Sequence, residues 1–260
     1  MRSVFCLTTI ILFWSTGILA ETPQQQGHAV VSELHARDTG WHDQFAKMKM
    51  ILTNRQGETS TREVRMYTLE VPGDGDKSLS IFDAPADVRG TAFLSHTHAL
   101  QPDDQWLYLP ALKRVKRISS ANKSGPFMGS EFAYEDIASQ EIDKFTYKLV
   151  AEETIDGNDA FVVEQYPQYE KSGYTREVVW IDKARYIPLK LDYYDRKDAL
   201  LKTLTFSDYQ QYLDKYWRAG EMYMENHQTG KRSTLTWTDY SFRQDLDDHD
   251  FDRSVLKRLR

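Results

Sequence analysis

A repeating two-residue rhythm constrains this chain more than any motif in it. Residues 45–53 place Ala46, Met48, Met50 and Leu52 on one side and Lys47 and Lys49 on the other. That is the side-chain period of a β-strand with one face buried. Asn54-Arg55-Gln56-Gly57 then reads as a turn, and residues 61–71 alternate again, with Val64 and Met66 between Arg65 and Tyr67. The pattern continues through residues 77–82, 90–98, 105–109, 113–118, 145–153, 160–167, 174–181, 186–194, 200–212, 217–226 and 231–242. Turn signals such as Pro72-Gly73-Asp74-Gly75, Asp156-Gly157-Asn158, Lys171-Ser172-Gly173 and Thr229-Gly230 separate the runs. These thirteen runs at hairpin spacing, read as about eleven strands, predict a mainly β, antiparallel meander rather than βαβ units.

Helical signals are confined to a few places. Residues 24–38 carry Ala29, Val30, Glu33 and Leu34 at helical spacing, with Gly40 as a stop. Ser130 is placed to cap a short helix over residues 131–138. The tail, residues 245–260, opens acidic and closes basic around Phe251, Val255 and Leu256. That polarity suits a short docking helix and its dipole.

The first twenty residues have a different character. Arg2 precedes an apolar stretch over residues 4–14, and Ala20 ends the segment before Glu21. This reads as a secretory signal peptide, residues 1–20, cleaved after Ala20 and leaving one domain over residues 21–260. The stretch is too short to span a bilayer comfortably. The chain's one cysteine, Cys6, lies inside it, so the mature chain has no disulfide or thiolate metal site. Cleavage removes one Arg and no acid, taking the formal net charge from −6 to −7, which argues against a nucleic-acid partner.

The segment 104–137 is the most distinctive. Asp104-Gln105-Trp106-Leu107-Tyr108-Leu109-Pro110 gives a short strand with a proline stop. Lys113-Arg114-Val115-Lys116-Arg117-Ile118 gives a second, strongly basic strand. Gly125-Pro126-Phe127-Met128-Gly129-Ser130-Glu131-Phe132-Ala133-Tyr134-Glu135-Asp136-Ile137 follows as a tight apolar loop. No nucleophile stands beside a base in this segment. Elsewhere there is no Gly-x-Ser-x-Gly, no P-loop and no Gly-x-Gly-x-x-Gly. His96 and His98 share a strand face near Asp103 and Asp104, but two histidines without a third ligand read as ordinary polar residues. No catalytic residue, metal or cofactor is expected, and the protein is read as a binding protein rather than an enzyme.

The order W-x-Y-x-P, then the basic strand, then G-x-F-M-G-S-x-F-x-Y-E-D resembles the LolA-like outer-membrane lipoprotein-sorting protein family. Within it, the sequence is similar to the branch found beside RND-type membrane transporters. The resemblance implies a curved antiparallel half-barrel lidded by short helices over an apolar cavity. It implies a periplasmic, monomeric carrier of lipid or lipoprotein acyl chains between membranes, or alternatively a non-carrying accessory of an RND-type transporter. An outer-membrane acceptor is a further implied partner.

The chain holds 15 Tyr, 12 Phe and 6 Trp. By themselves these are the core of a curved sheet. With the resemblance, Met48, Met50, Leu52, Met66, Leu94, Trp106, Tyr108, Phe127, Met128 and Phe132 become the expected lining of an acyl-chain site. Lys113, Arg114, Lys116 and Arg117 are either charges guarding an edge strand or a dock for anionic headgroups or an acidic partner.

Overall fold

A computed structural model describes residues 20–119 and 122–259; the signal-peptide segment lies outside the described residues apart from Ala20. Helix α1, Pro23–Arg37, begins at a capping box. The Thr22 hydroxyl accepts from the Gln25 amide at 3.2 Å, and the Gln25 side chain accepts from the Thr22 amide at 2.9 Å. Pro23 fits the first turn because no amide is needed there.

Fifteen strands follow: β1 Asp43–Thr53, β2 Thr59–Leu69, β3 Lys77–Ala84, β4 Ala92–His96, β5 Asp104–Leu109, β6 Arg114–Ile118, β7 Phe145–Ile155, β8 Asn158–Pro167, β9 Tyr174–Asp182, β10 Pro188–Asp195, β11 Leu200–Ser207, β12 Gln210–Tyr212, β13 Tyr216–Arg218, β14 Glu221–Asn226 and β15 Arg232–Phe242. Thirteen form one antiparallel sheet in the order β6-β5-β4-β3-β2-β1-β15-β14-β11-β10-β9-β8-β7. β12 and β13 make a separate ribbon. Register shifts interrupt the β1–β15, β2–β3, β7–β8, β9–β10 and β10–β11 ladders. Such irregularities bend strands, and here they curl the sheet around its interior. The two edges, β6 and β7, are consecutive in the chain but do not pair, so the barrel stays open.

Four sequence expectations need correction here. Residues 200–212 and 217–226, each expected as one strand, both break. Asp208 takes φ 54°, and the Gly220 amide donates to the Ser207 and Asp208 carbonyls at 3.1 Å. A Cβ on Gly220 would lie 2.8 Å from the Asp208 oxygen, so only glycine fits that approach. The short helix expected over 131–138 does not form. A 3-10 turn at Phe127–Gly129 precedes it, with Met128 and Gly129 both at positive φ, and the loop closes on itself through the Phe127 amide and Phe132 carbonyl at 2.7 Å. The Ser130 hydroxyl donates to the Phe127 carbonyl at 2.7 Å and so serves this turn instead of capping a helix. The tail is helical only as two 3-10 turns, Asp248–Phe251 and Arg253–Lys257.

The core is divided between the two sheet faces. The inner face gathers Met48, Phe82, Phe93, Val163, Leu204 and Met224, with Val30 and Val31 of α1 and Phe127 and Phe132 of the 119–144 connection. The outer face of β3–β5 carries a smaller cluster, in which Leu79, Ile81 and Leu94 pack under Phe251 and Leu256 of the tail.

Candidate functional site

The inner hollow is set by three elements. α1 crosses β7 so closely that a Cβ on Gly27 would lie 2.6 Å from the Leu149 amide nitrogen. That approach brings Val31 and Leu34 over the concave face, where they roof an apolar cavity of about 280 Å³. Met48 and Met66 come to its wall from the first strands, and Leu191, Leu204 and Leu235 from the later ones. The loop 125–137 adds Phe127 and Phe132 to its wall, at 1% and 2% exposure.

That loop is held by a buried polar knot. Lys202 of β11, 3% exposed, pairs with Asp136 at 2.5 Å and also donates to the Glu131 carbonyl at 2.9 Å. The Tyr174 hydroxyl donates to Asp136 at 2.7 Å, and the Ala133 amide does so at 2.6 Å. The Lys202 ammonium also lies 5.2 Å from the Tyr174 ring centroid and 4.9 Å from that of Tyr193. Farther along, the Asn226 amide donates to the Glu131 carboxylate at 2.7 Å, and the Glu131 amide donates to Ser233 at 2.9 Å. Removing one partner of a desolvated ion pair leaves an uncompensated charge, so each of these ties fixes the loop's place.

Next to the apolar cavity is a second one of about 500 Å³, opening between residues 99–103, 135–145 and 168–171. Asp136, Gln140, Leu191 and Tyr193 line both. Glu177 of β9 faces this chamber at 5% exposure, and the Gln165 amide donates to it at 2.6 Å. Burial, reinforced by Asp136 and Glu135, pushes its carboxyl up to about 8, with Lys202 opposing. Burial likewise raises Glu135, whose oxygens accept from the Gly173 amide and the Tyr169 and Ser172 hydroxyls. At the chamber's rim, Asp103 is gripped by both Lys123 and Lys144.

A family model described as an uncharacterized protein matches residues 74–258. The structure is similar to the outer membrane lipoprotein-sorting protein domain from Vibrio parahaemolyticus, at 60% identity over 90% of this chain and 100% of that one, with a TM-score of 0.89. It is also similar to a DUF1329 family protein from Desulfovibrio piger, at 33% identity over 91% of this chain and all of that one, with a TM-score of 0.86. The chain belongs to the DUF1329 family. Its fold is LolA-like: a LolA superfamily protein from Nitrosomonas europaea aligns over 91% of this chain and all of that one, with a TM-score of 0.71 at 21% identity. No curated protein sequence matches the chain.

In this DUF1329 protein the ten residues expected to line an acyl site do not all meet. Met48, Met66, Phe127 and Phe132 line the apolar cavity. Met50, fully buried, and the partly buried Leu52 and Met128 belong to the same inner cluster without lining that cavity. Leu94, Trp106 and Tyr108 lie on the outer face with the tail. The four basic residues do gather at the free edge: Arg114, Lys116 and Arg117 are exposed on β6, and Lys113 sits in the preceding turn at φ 48°. Arg117 is held by Asp104. His98 pairs with Asp74 at 2.9 Å, a bond that draws the Asp74 carboxyl down to about 2, while His96 bonds the Phe251 carbonyl at 2.8 Å. Among the described residues, no group of three or more His, Cys, Asp or Glu is placed to hold a metal ion. No described helix is long and apolar enough to cross a membrane.

The buried polar residues escaped the sequence reading, yet they left a trace in the strand rhythm. Gln165 is in phase with inward Val163 on β8, Glu177 with Val179 and Ile181 on β9, and Lys202 with Leu204 on β11. A polar residue on the buried phase of three strands within a four-strand stretch, β8, β9 and β11, marks a polar spot within an apolar wall.

Proposed function

We propose that this protein is a periplasmic carrier. It would hold an acyl chain of a lipid or lipoprotein in the concave cavity and pass it between membranes, with no chemical step of its own. The apolar hollow roofed by α1 is the observation that carries the reading. The likeness to a domain described as lipoprotein-sorting supports it. Residues 21–260 would act as one monomeric carrier domain after cleavage behind Ala20. About ten buried methylenes would contribute about 8 kcal/mol before ordering losses. The hollow of about 280 Å³ is small for a long chain. Loading therefore requires the 125–137 loop to move Phe127 and Phe132 aside, which makes that loop the gate. Met48 and Met66 on the opposite wall suit cargo of variable shape. Native mass spectrometry of protein gently extracted from the periplasm should show a bound lipid mass. Consistently empty protein that also ignores fluorescent acyl probes would overturn the reading.

The exposed basic edge favours a second reading, an accessory that docks on an RND-type transporter through Lys113, Arg114, Lys116 and Arg117. Charge reversal at Arg114 and Arg117 would then abolish pull-down of the transporter, while filling the cavity with Leu204→Trp would leave it intact. The reverse pattern favours the carrier.

A further inference from the structure

The second cavity has a chemistry of its own. It abuts the apolar one across Leu191 and Tyr193, so a chain lying in the first hollow would present its head to the second. Of the three acidic residues on its wall that are more than nine-tenths buried, Asp103 has both oxygens paired, but Glu177 and Glu141 each keep one with no protein partner. Glu177 accepts from Gln165 through Oε2 only, and Glu141 accepts from Ser139 through Oε1 only. Neither free oxygen is sealed from solvent, so both open onto the chamber. None of the three lysines on the wall bonds them: Lys123 and Lys144 are both bound to Asp103, and Lys171 sits exposed at the rim. Tyr169 and Tyr193 add aromatic faces to the wall. Unanswered carboxyl oxygens beside aromatic rings form a receptor for an ammonium group.

We infer that this chamber receives the head of the carried amphiphile, and that the head is a cationic amine. The inference rests on the carrier reading above and adds to it the class of cargo. An anionic head would meet Glu177 and Glu141 on the buried wall, with Lys171 offering a cation only at the exposed rim. An uncharged head would leave the desolvated carboxyls with weaker partners.

The test uses the full mature chain and three probes sharing one alkyl chain: dodecylamine, dodecanol and dodecanoate, each titrated calorimetrically below its micellar concentration. The amine should bind roughly tenfold tighter than the alcohol, the size of one charge-assisted hydrogen bond, and the acid weakest. Glu177→Gln should bring the amine-to-alcohol ratio close to one, and Glu141→Gln should narrow it. Glu152→Gln, on the exposed Lys183 pair, should keep it. Near-UV circular dichroism verifies the fold of each variant, and Glu141→Gln carries the test if Glu177→Gln does not fold. Dodecanoate binding as tightly as dodecylamine overturns the inference, as does a folded Glu177→Gln or Glu141→Gln protein with its full amine preference. If the alcohol binds but the head makes no difference, the carrier reading survives and the amine assignment falls. If none of the three binds, both fall.

Discussion

Strands β3–β5 present two apolar faces, and the chain treats them differently. Outward, Leu79, Ile81 and Leu94 are covered by Phe251 and Leu256 of the chain's own tail, both fully buried. Inward, Phe82, Phe93 and Leu107 are covered by a loop whose Phe127 is equally buried but whose neighbourhood is hollow. Both covers are segments of this chain without a strand or long helix of their own. The outer one is an ordinary apolar seal. The inner one also buries Phe127 and Phe132, but it is tied in addition by charge and hydrogen bonds through Asp136, Glu131 and Glu135. A seal made by burying rings is hard to open in water, because it exposes apolar surface. A cover held partly by oriented polar bonds beside a cavity could trade those bonds for others on the proposed entry of cargo.

The contrast can be broken at its strongest point first. Phe251→Ala should cost about 4 kcal/mol of stability in urea unfolding and leave acyl-probe affinity unchanged. Phe132→Ala should cost a similar amount but raise probe uptake, because it enlarges the hollow. Equal probe behaviour in the two variants would erase the distinction between seal and gate. The next effect is electrostatic. Lys202→Met strips Asp136 of its buried partner and should cost about 3 kcal/mol in the same unfolding measurement, with faster proteolysis within residues 125–137. A loss confined to global stability, with the loop still protected, would mean the ion pair does not specifically hold the gate. The smallest effect is protonic. Burial lifts Glu177 from the ordinary glutamate value of 4.5 up to about 8. Between those values the folded protein binds more protons than the unfolded chain. Stability is therefore greatest at the acid end of that window, falls as pH rises through it and levels off above about 8. Asp76, lifted to about 7 by burial, adds to the same slope. Thermal melts across the window should show a shallower slope in Glu177→Gln than in the parent; identical slopes would remove Glu177 as a source.

Much of the architecture was legible in the residues. α1 was expected at 24–38 and spans Pro23–Arg37, because its spacing and cap are local signals. The hairpin turns set the meander, and the motif in 104–137 pointed to the LolA-like fold. Assigning faces in β3–β5 was harder. Both sides of these strands are buried, so the alternation that separates inside from outside fades, and Leu94, Trp106 and Tyr108 were assigned inward. The 125–137 loop was misread because Ser130 fits a cap by type, while two consecutive positive-φ residues, Met128 and Gly129, turn the chain before it. The polar chamber depends on loops far apart in sequence, which no local pattern brings together.

The pairing of β1 with β15 carries a consequence for how the molecule is made. Gln44 lies opposite Phe242, and Thr53 opposite Arg232, so the middle seam of the sheet joins the first strand to the last. Until β15 has emerged, β1 and β14 each lack a neighbour on one side. Assembly of the hollow thus waits for nearly the whole chain, which is the signature of slow, non-local folding. A polypeptide built this way stays open to whatever receives it during synthesis, and the receptacle closes only at the end.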